Sequence, residues 1–204
     1  MITIGRRADL PPHVVSSMHA FRHAIFVHRL GWTLPMLDGV ERDQYDNEHA
    51  VYFITRDEVD QITACARLLP TTSDYMIPDL FSALLGEQPA PKDWRIWELS
   101  RFATSVRQSR EGRVLSLSQP TLELLDSIFV FAQEGCIERL LVVTSIAIER
   151  LLLRAQYDVH RLAPPAYVGC AFAVALAIEV ARSPPIVNRG MPGIARQRTA
   201  KSSA

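Results

Sequence analysis

Hydrophobic positions recur with two periods along this chain, and their alternation lays out a mixed α/β series of elements. After Pro11 and Pro12, the residues Val14, Met18, Phe21 and Ile25 recur at helical spacing, with Arg22 and Phe26 on a neighbouring face, until Gly31 ends the pattern. A first amphipathic helix is expected there. The segment from Trp32 to Asn47, rich in Pro, Gly and Asp, reads as an irregular loop leading to a strand at about His49 to Thr55. The turn Arg56-Asp57-Glu58-Val59-Asp60 then opens a second strand, Gln61 to Leu69, and the two form a hairpin. Pro78 to Leu85 suggests a short helix closed by Gly86, and Pro89 to Asp93 a turn before the apolar stretch Trp94 to Val106.

In the second half, Leu122, Leu125, Phe129 and Ala132 form a helical stripe stopped by Gly135, followed by an apolar strand from Leu140 to Val143. Ile146, Ile148, Leu151, Leu152 and Ala155 continue as a helix, and Tyr157 to Leu162 reads as a strand ended by Pro164 and Pro165. From Ala171 to Ile178 small and bulky residues alternate strictly, as the two faces of a strand would. Residues 184–204, dominated by Pro, Arg, Gly and Ser, read as a mobile tail after a single domain spanning 1–183. The element order predicts an α/β/α sandwich around a mixed central sheet.

Composition narrows the function classes. With 204 residues, 48% of them hydrophobic, the chain suits one domain with a substantial core, and 22 basic residues balance 22 acidic ones. No global field favours nucleic acid or an anionic membrane. The N-terminus lacks the apolar segment of a secretory signal, and the longest apolar run, Tyr167 to Ile178, falls well short of the ~20 residues that span a bilayer. A soluble, cytoplasmic protein is expected. Cys65, Cys136 and Cys170 match no disulfide or zinc spacing and read as reduced core residues. His19 and His23 have the spacing of a metal pair but no third ligand, so no metal is expected. No nucleophile elbow, phosphate loop or dinucleotide fingerprint is present.

Charge in the wrong place is the strongest functional signal. The run Trp97-Glu98-Leu99-Ser100-Arg101-Phe102 puts a carboxylate and a guanidinium into a core strand, and Arg67 interrupts the strand of the hairpin. Ionised groups are costly there unless paired. Partners stand upstream in the acidic run Glu41, Asp43, Asp46 and Glu48, which also suits a cationic ligand held beside Trp32. A structural ion network and a catalytic one explain these charges equally well. Geometry adds a condition: Glu98 and Arg101, three apart, face opposite sides of a regular strand, so a β-bulge must intervene if both serve one cleft.

Taken in order, Arg22, Phe26, Trp32, Asp43, Asp46, Arg67, Glu98 and Arg101 resemble the motif residues of the acyl-homoserine lactone synthases, the LuxI-type autoinducer synthases of bacterial quorum sensing. The resemblance covers about residues 20 to 180, and the wording around Trp32 and Glu98 is most similar to the N-octanoyl-homoserine lactone branch. It implies a GNAT acyltransferase-like fold, in which two adjacent parallel strands splay apart to hold an acyl-pantetheine arm. The implied substrates are S-adenosylmethionine and a medium-chain acyl group on acyl carrier protein, with no cofactor. Glu98 is the implied base, with Asp46 and Arg101 beside it. Arg22, Phe26, Trp32, Asp43, Arg67 and Phe102 would line the substrate site, with Thr144 or Ser145 as the acyl-selectivity hydroxyl. Arg150 and Arg154, on one helix face, would dock the acidic carrier. Alternatives are another N-acyltransferase of that fold, although its pyrophosphate loop is missing before residue 120, or a non-catalytic ligand-binding domain.

Overall fold

The computed structural model describes residues 1–34, 36–37, 39–105, 119–169 and 171–183. The expected tail from residue 184 and Cys170 lie outside the described residues. The chain opens with strand β1 (Ile2–Arg6) and helix α1 (Pro12–His23), which runs on as a π-helix over Ala24–Arg29. Two short strands follow, β2 (Met36–Leu37) and β3 (Val40–Glu41), then the hairpin β4 (Val51–Arg56) and β5 (Ile62–Pro70). Helix α2 (Met76–Leu80), a 3-10 turn (Ser82–Leu85) and strand β6 (Ile96–Thr104) complete the first half. The second half runs α3 (Gln119–Glu134), β7 (Arg139–Thr144), α4 (Ile146–Arg154), β8 (Val159–Arg161), β9 (Ala166–Val168) and β10 (Ala171–Glu179).

These strands build one main sheet in the order β1-β4-β5-β6-β7-β10-β8, with β9 beside β10, while β2 and β3 pair separately. Every neighbour is antiparallel except β6 and β7, whose parallel pairing covers only Ile96–Arg139 to Glu98–Leu141. Beyond Glu98 the two strands part. That is the splayed, acyltransferase-like sheet expected for this chain. Strand alternation sends Val174, Leu176 and Ile178 to one core with α3, and Ala173, Ala175 and Ala177 to the other face. Helices α1 and α2 cover the second face, so the three layers follow from period-2 strands between two sets of amphipathic helices.

Several expected boundaries shift for local reasons. The helix expected from Pro78 starts at Met76 and breaks at Phe81, whose φ of -131° is not helical, so its second half is a 3-10 turn. Strand β8 is shorter than Tyr157 to Leu162, because Tyr157 turns into the α3 core instead of the ladder. The edge strands β1 and β9 give little sequence signal, since each is short and half exposed. Cys65 is buried, but Cys136 is exposed, which corrects its expected core placement. It occupies the turn after α3 with φ 53°, where its side chain faces solvent. Among the described residues no helix is long and apolar enough to cross a membrane.

Candidate active site

On the α1 side of the sheet, three arginines and three carboxylates from five segments meet out of water. Arg22 of α1 binds Glu41 through Nε and grips Asp46 in a fork, with Nη1–Oδ1 2.7 Å and Nη2–Oδ2 3.0 Å. Arg67 of β5 reaches Asp43 at 2.6 Å and Asp46 at 2.9 Å. Arg101 of β6 reaches Glu41 at 3.0 Å and Asp43 at 2.5 Å. Each carboxylate is therefore shared between two cations, and the charges balance without Glu98. Such a network is stable only when nearly every lone pair and proton is used, since one missing partner leaves a bare buried charge.

Local chain geometry explains how these side chains converge. Between the pairs Cys65–Ala103 and Arg67–Ser100, strand β6 carries two residues, Arg101 and Phe102, where β5 carries only Ala66. This is the required bulge, and Arg101 adopts φ 50° to make it. Glu98, Ser100 and Arg101 consequently face the cage, while Phe102 packs on the α3 core. Within the acidic run, Asp43 accepts from the Tyr45 amide, and Asp46 accepts from the Asp43 amide and the Tyr52 hydroxyl, each at 3.0 Å. Burial disfavours ionised Asp46, but Arg22 and Arg67 outweigh it and hold the carboxyl well below the usual carboxylate range.

The π-turn places the aromatic members. Trp32 donates its amide to the Phe26 carbonyl at 2.9 Å, and the two rings stack at 5.1 Å and 14°. The Arg101 guanidinium lies 5.9 Å from the Phe26 centroid on the same column. Trp32 is 49% exposed, so an aromatic face stands open at the rim of the ionic cage. π-Turns inside helices recur at functional sites because they re-aim side chains without ending the helix.

Glu98 differs from the other carboxylates. Its Oε2 accepts from the Ile77 amide at the start of α2 at 2.8 Å, while Oε1 is buried with no hydrogen-bond partner among the described residues. Burial raises its pKa to about 7, against the opposing pull of the Ile77 amide and of Arg67. Met76 completes this wall, its Sδ 3.1 Å from Nη2 of Arg67 and 3.6 Å from Nη1 of Arg101. Glu98 also marks the last residue paired with β7 before the splay.

Arg22, Phe26, Trp32, Asp43, Asp46, Arg67, Glu98 and Arg101 are thus brought together. Phe102 lies on the opposite face of the sheet. Thr144 ends β7 half-buried, and Ser145 caps α4 by accepting the Ile148 amide at 3.4 Å. Arg150 and Arg154 are exposed on α4, away from the cage. Glu41, expected only as part of the acidic run and not as a site residue, proves to be a full member of the cage, bridging Arg22 and Arg101. Met76 and the cap from α2 gave no sign in the sequence. Among the described residues no group of three or more potential ligands could hold a metal.

The family model described as Autoinducer synthase matches residues 10–184. An acyl-homoserine-lactone synthase of Ralstonia solanacearum is 39% identical over 175 residues, 84% of either chain. Among solved structures, the AHL synthase LasI superposes with a TM-score of 0.80 at 33% identity, covering 97% of this chain and 98% of that one. The CoA-dependent acyl-homoserine lactone synthase BjaI, solved with SAM and isopentyl-CoA, gives 0.83 at 29% identity over 99% and 95%.

Proposed function

The chain belongs to the autoinducer synthases, the acyl-homoserine-lactone synthase family, and from that premise we propose that it acylates the amine of S-adenosylmethionine from octanoyl-acyl carrier protein and closes the product to N-octanoyl-homoserine lactone. The observation that carries the reading is Glu98: a buried carboxyl, anchored through one oxygen and with no hydrogen-bond partner among the described residues at the other, where the parallel strands part. A group with a pKa of about 7 is suited to accept a proton near neutrality.

In the first step the substrate ammonium gives one proton to Glu98, its nitrogen bonds to the thioester carbonyl carbon, and the C–S bond breaks as a second N–H proton passes to the departing carrier thiolate. In the second, the substrate carboxylate attacks the carbon bound to the sulfonium, and methylthioadenosine departs with the electron pair. A sulfonium is its own good leaving group, so little further acid–base help is required. The Phe26–Trp32 column suits the cationic nucleoside, by cation–π attraction and stacking. Asp46, held ionised between two arginines, and Asp43 serve as positioning groups, with Arg22, Arg67 and Arg101 framing the pocket. Phe102 and Thr144 belong to the acyl side of the splay, since Ser145 already has work as a helix cap.

Support for a carrier-protein donor comes from Arg150 and Arg154, exposed one turn apart on α4. The test is mass spectrometry of products made by purified protein from S-adenosylmethionine with a panel of acyl carriers and acyl-CoA thioesters. Octanoyl lactone and methylthioadenosine should form fastest from the carrier. Preferred use of acyl-CoA would overturn the donor assignment, another chain length the octanoyl assignment, and absence of lactone from every donor the reaction itself.

A further inference from the structure

His19, one turn before Arg22 on α1, is a buried titratable group that the proposed chemistry leaves unused. It is 4% exposed, and its Nδ1 lies 2.8 Å from the carbonyl oxygen of Glu41. A carbonyl only accepts, so Nδ1 carries the hydrogen and Nε2 of the neutral ring keeps a lone pair. That Nε2 is buried with no hydrogen-bond partner among the described residues. Protonating it would bury an unmatched donor and place a second cation beside Arg22. The charged groups around the ring are Arg22 on its own helix, Glu41 on β3 and Asp46 on the following loop. Burial and Arg22 outweigh the two carboxylates and hold the imidazole below its ordinary value.

The carbonyl that His19 holds belongs to a strand outside the main sheet. Strand β3 is two residues long and, among the described residues, pairs with β2, with Met36 opposite Glu41, outside the main ladder. Yet Glu41 must present one oxygen to Arg22 and the other to Arg101. Arg101 in turn packs on the Phe26–Trp32 column.

We infer that His19 is a positioning residue: its Nδ1–H fixes β3 against α1, which sets Glu41 between Arg22 and Arg101 and so shapes the aromatic column. The inference rests on the reading of that column and cage as the S-adenosylmethionine site. Two variants separate its parts. His19→Phe removes the donor, whereas His19→Asn offers an amide N–H near the position of Nδ1 and does not titrate.

The measurements are calorimetric binding of S-adenosylmethionine, steady-state kinetics with each substrate varied, and thermal unfolding from pH 5 to 8. His19→Phe should weaken binding and raise KM for S-adenosylmethionine about tenfold, with a smaller change in kcat and none in KM for the acyl donor. His19→Asn should recover most of that loss. Below pH 6.5, the ordinary value, the unfolded chain binds a proton that the folded ring refuses, so wild-type stability should fall as pH drops; His19→Asn should lack this component. Unchanged binding by folded His19→Phe, or an Asn variant as impaired as Phe, overturns the inference. If His19→Phe fails to fold, an acid limb shared by His19→Asn and wild type overturns it. Failure of the unsubstituted protein to bind S-adenosylmethionine would instead overturn the site assignment beneath it.

Discussion

The two faces of the central sheet solve opposite problems with the same strands. Toward α3, Val51, Phe53, Leu68, Leu99, Leu140 and Leu176 meet Leu125, Ile128 and Phe129 in a core formed by apolar side chains. Toward α1, the same β5 and β6 carry Arg67, Glu98 and Arg101 into the interior. Burying apolar area stabilises by roughly 25 cal/mol per Å², whereas a buried ion network at best offsets its own desolvation. The apolar face accounts for the fold. The ionic face is expensive to keep, and under the proposed function its value lies in holding the Glu98 carboxyl and the Phe26–Trp32 column in fixed relation.

Substitutions should expose this division. Glu98→Gln is expected to lower the rate of lactone formation by about 100- to 10,000-fold while the fold is retained, the range typical of losing a general base. A rate within threefold of wild type, measured at saturating substrates, would remove Glu98 from the chemistry. Phe129→Ala should do the reverse, lowering stability by about 3–5 kcal/mol in denaturant unfolding with little change in kcat per folded molecule. A kcat effect matching that of Glu98→Gln would erase the distinction between the faces.

Asp46→Ala tests the cage from within, because it leaves Arg22 and Arg67 each short of a partner. A loss of about 3–5 kcal/mol is expected, together with weaker S-adenosylmethionine binding. Stability alone should move if the cage has no part in the site.

Glu98 also makes a prediction about pH, and here stability and activity oppose each other. Its folded pKa of about 7 lies above the ordinary 4.5, so the folded state holds the proton longer than the unfolded chain does. Stability from this group is full below pH 4.5 and is lost as pH rises through 7, by roughly 3 kcal/mol. Activity should rise over the same upper limb, as the base becomes ionised. Glu98→Gln should abolish the stability change, which chemical unfolding at pH 5 and pH 8 would measure. Last and smallest, charge reversal at Arg150 and Arg154 should raise the KM for acyl carrier protein several-fold and leave that for S-adenosylmethionine unchanged.

Much of this was legible before any coordinates. Strong alternation in Ala171 to Ile178 and the helical stripe at Leu122 to Ala132 reported their own burial, and the resemblance singled out the eight residues that the cage and column bring together. Glu41 was harder to see because its role depends on a pairing 60 residues away with Arg101. His19 looked like half of a metal pair, since spacing along a helix carries no information about the carbonyl opposite.

The sequence by itself determined the class of fold, the order of elements and the anomaly of charge in strands, because hydrophobic period and composition are local properties of the chain. It also set the condition that Glu98 and Arg101 can share a cleft only across a bulge. Tertiary structure alone decided that the bulge exists, through φ 50° at Arg101, and which carboxylates are consumed by arginines. It likewise decided that one Glu98 oxygen has no hydrogen-bond partner among the described residues. Those outcomes turn on which groups from distant segments reach each other within hydrogen-bonding distance and out of water, and no local pattern encodes that.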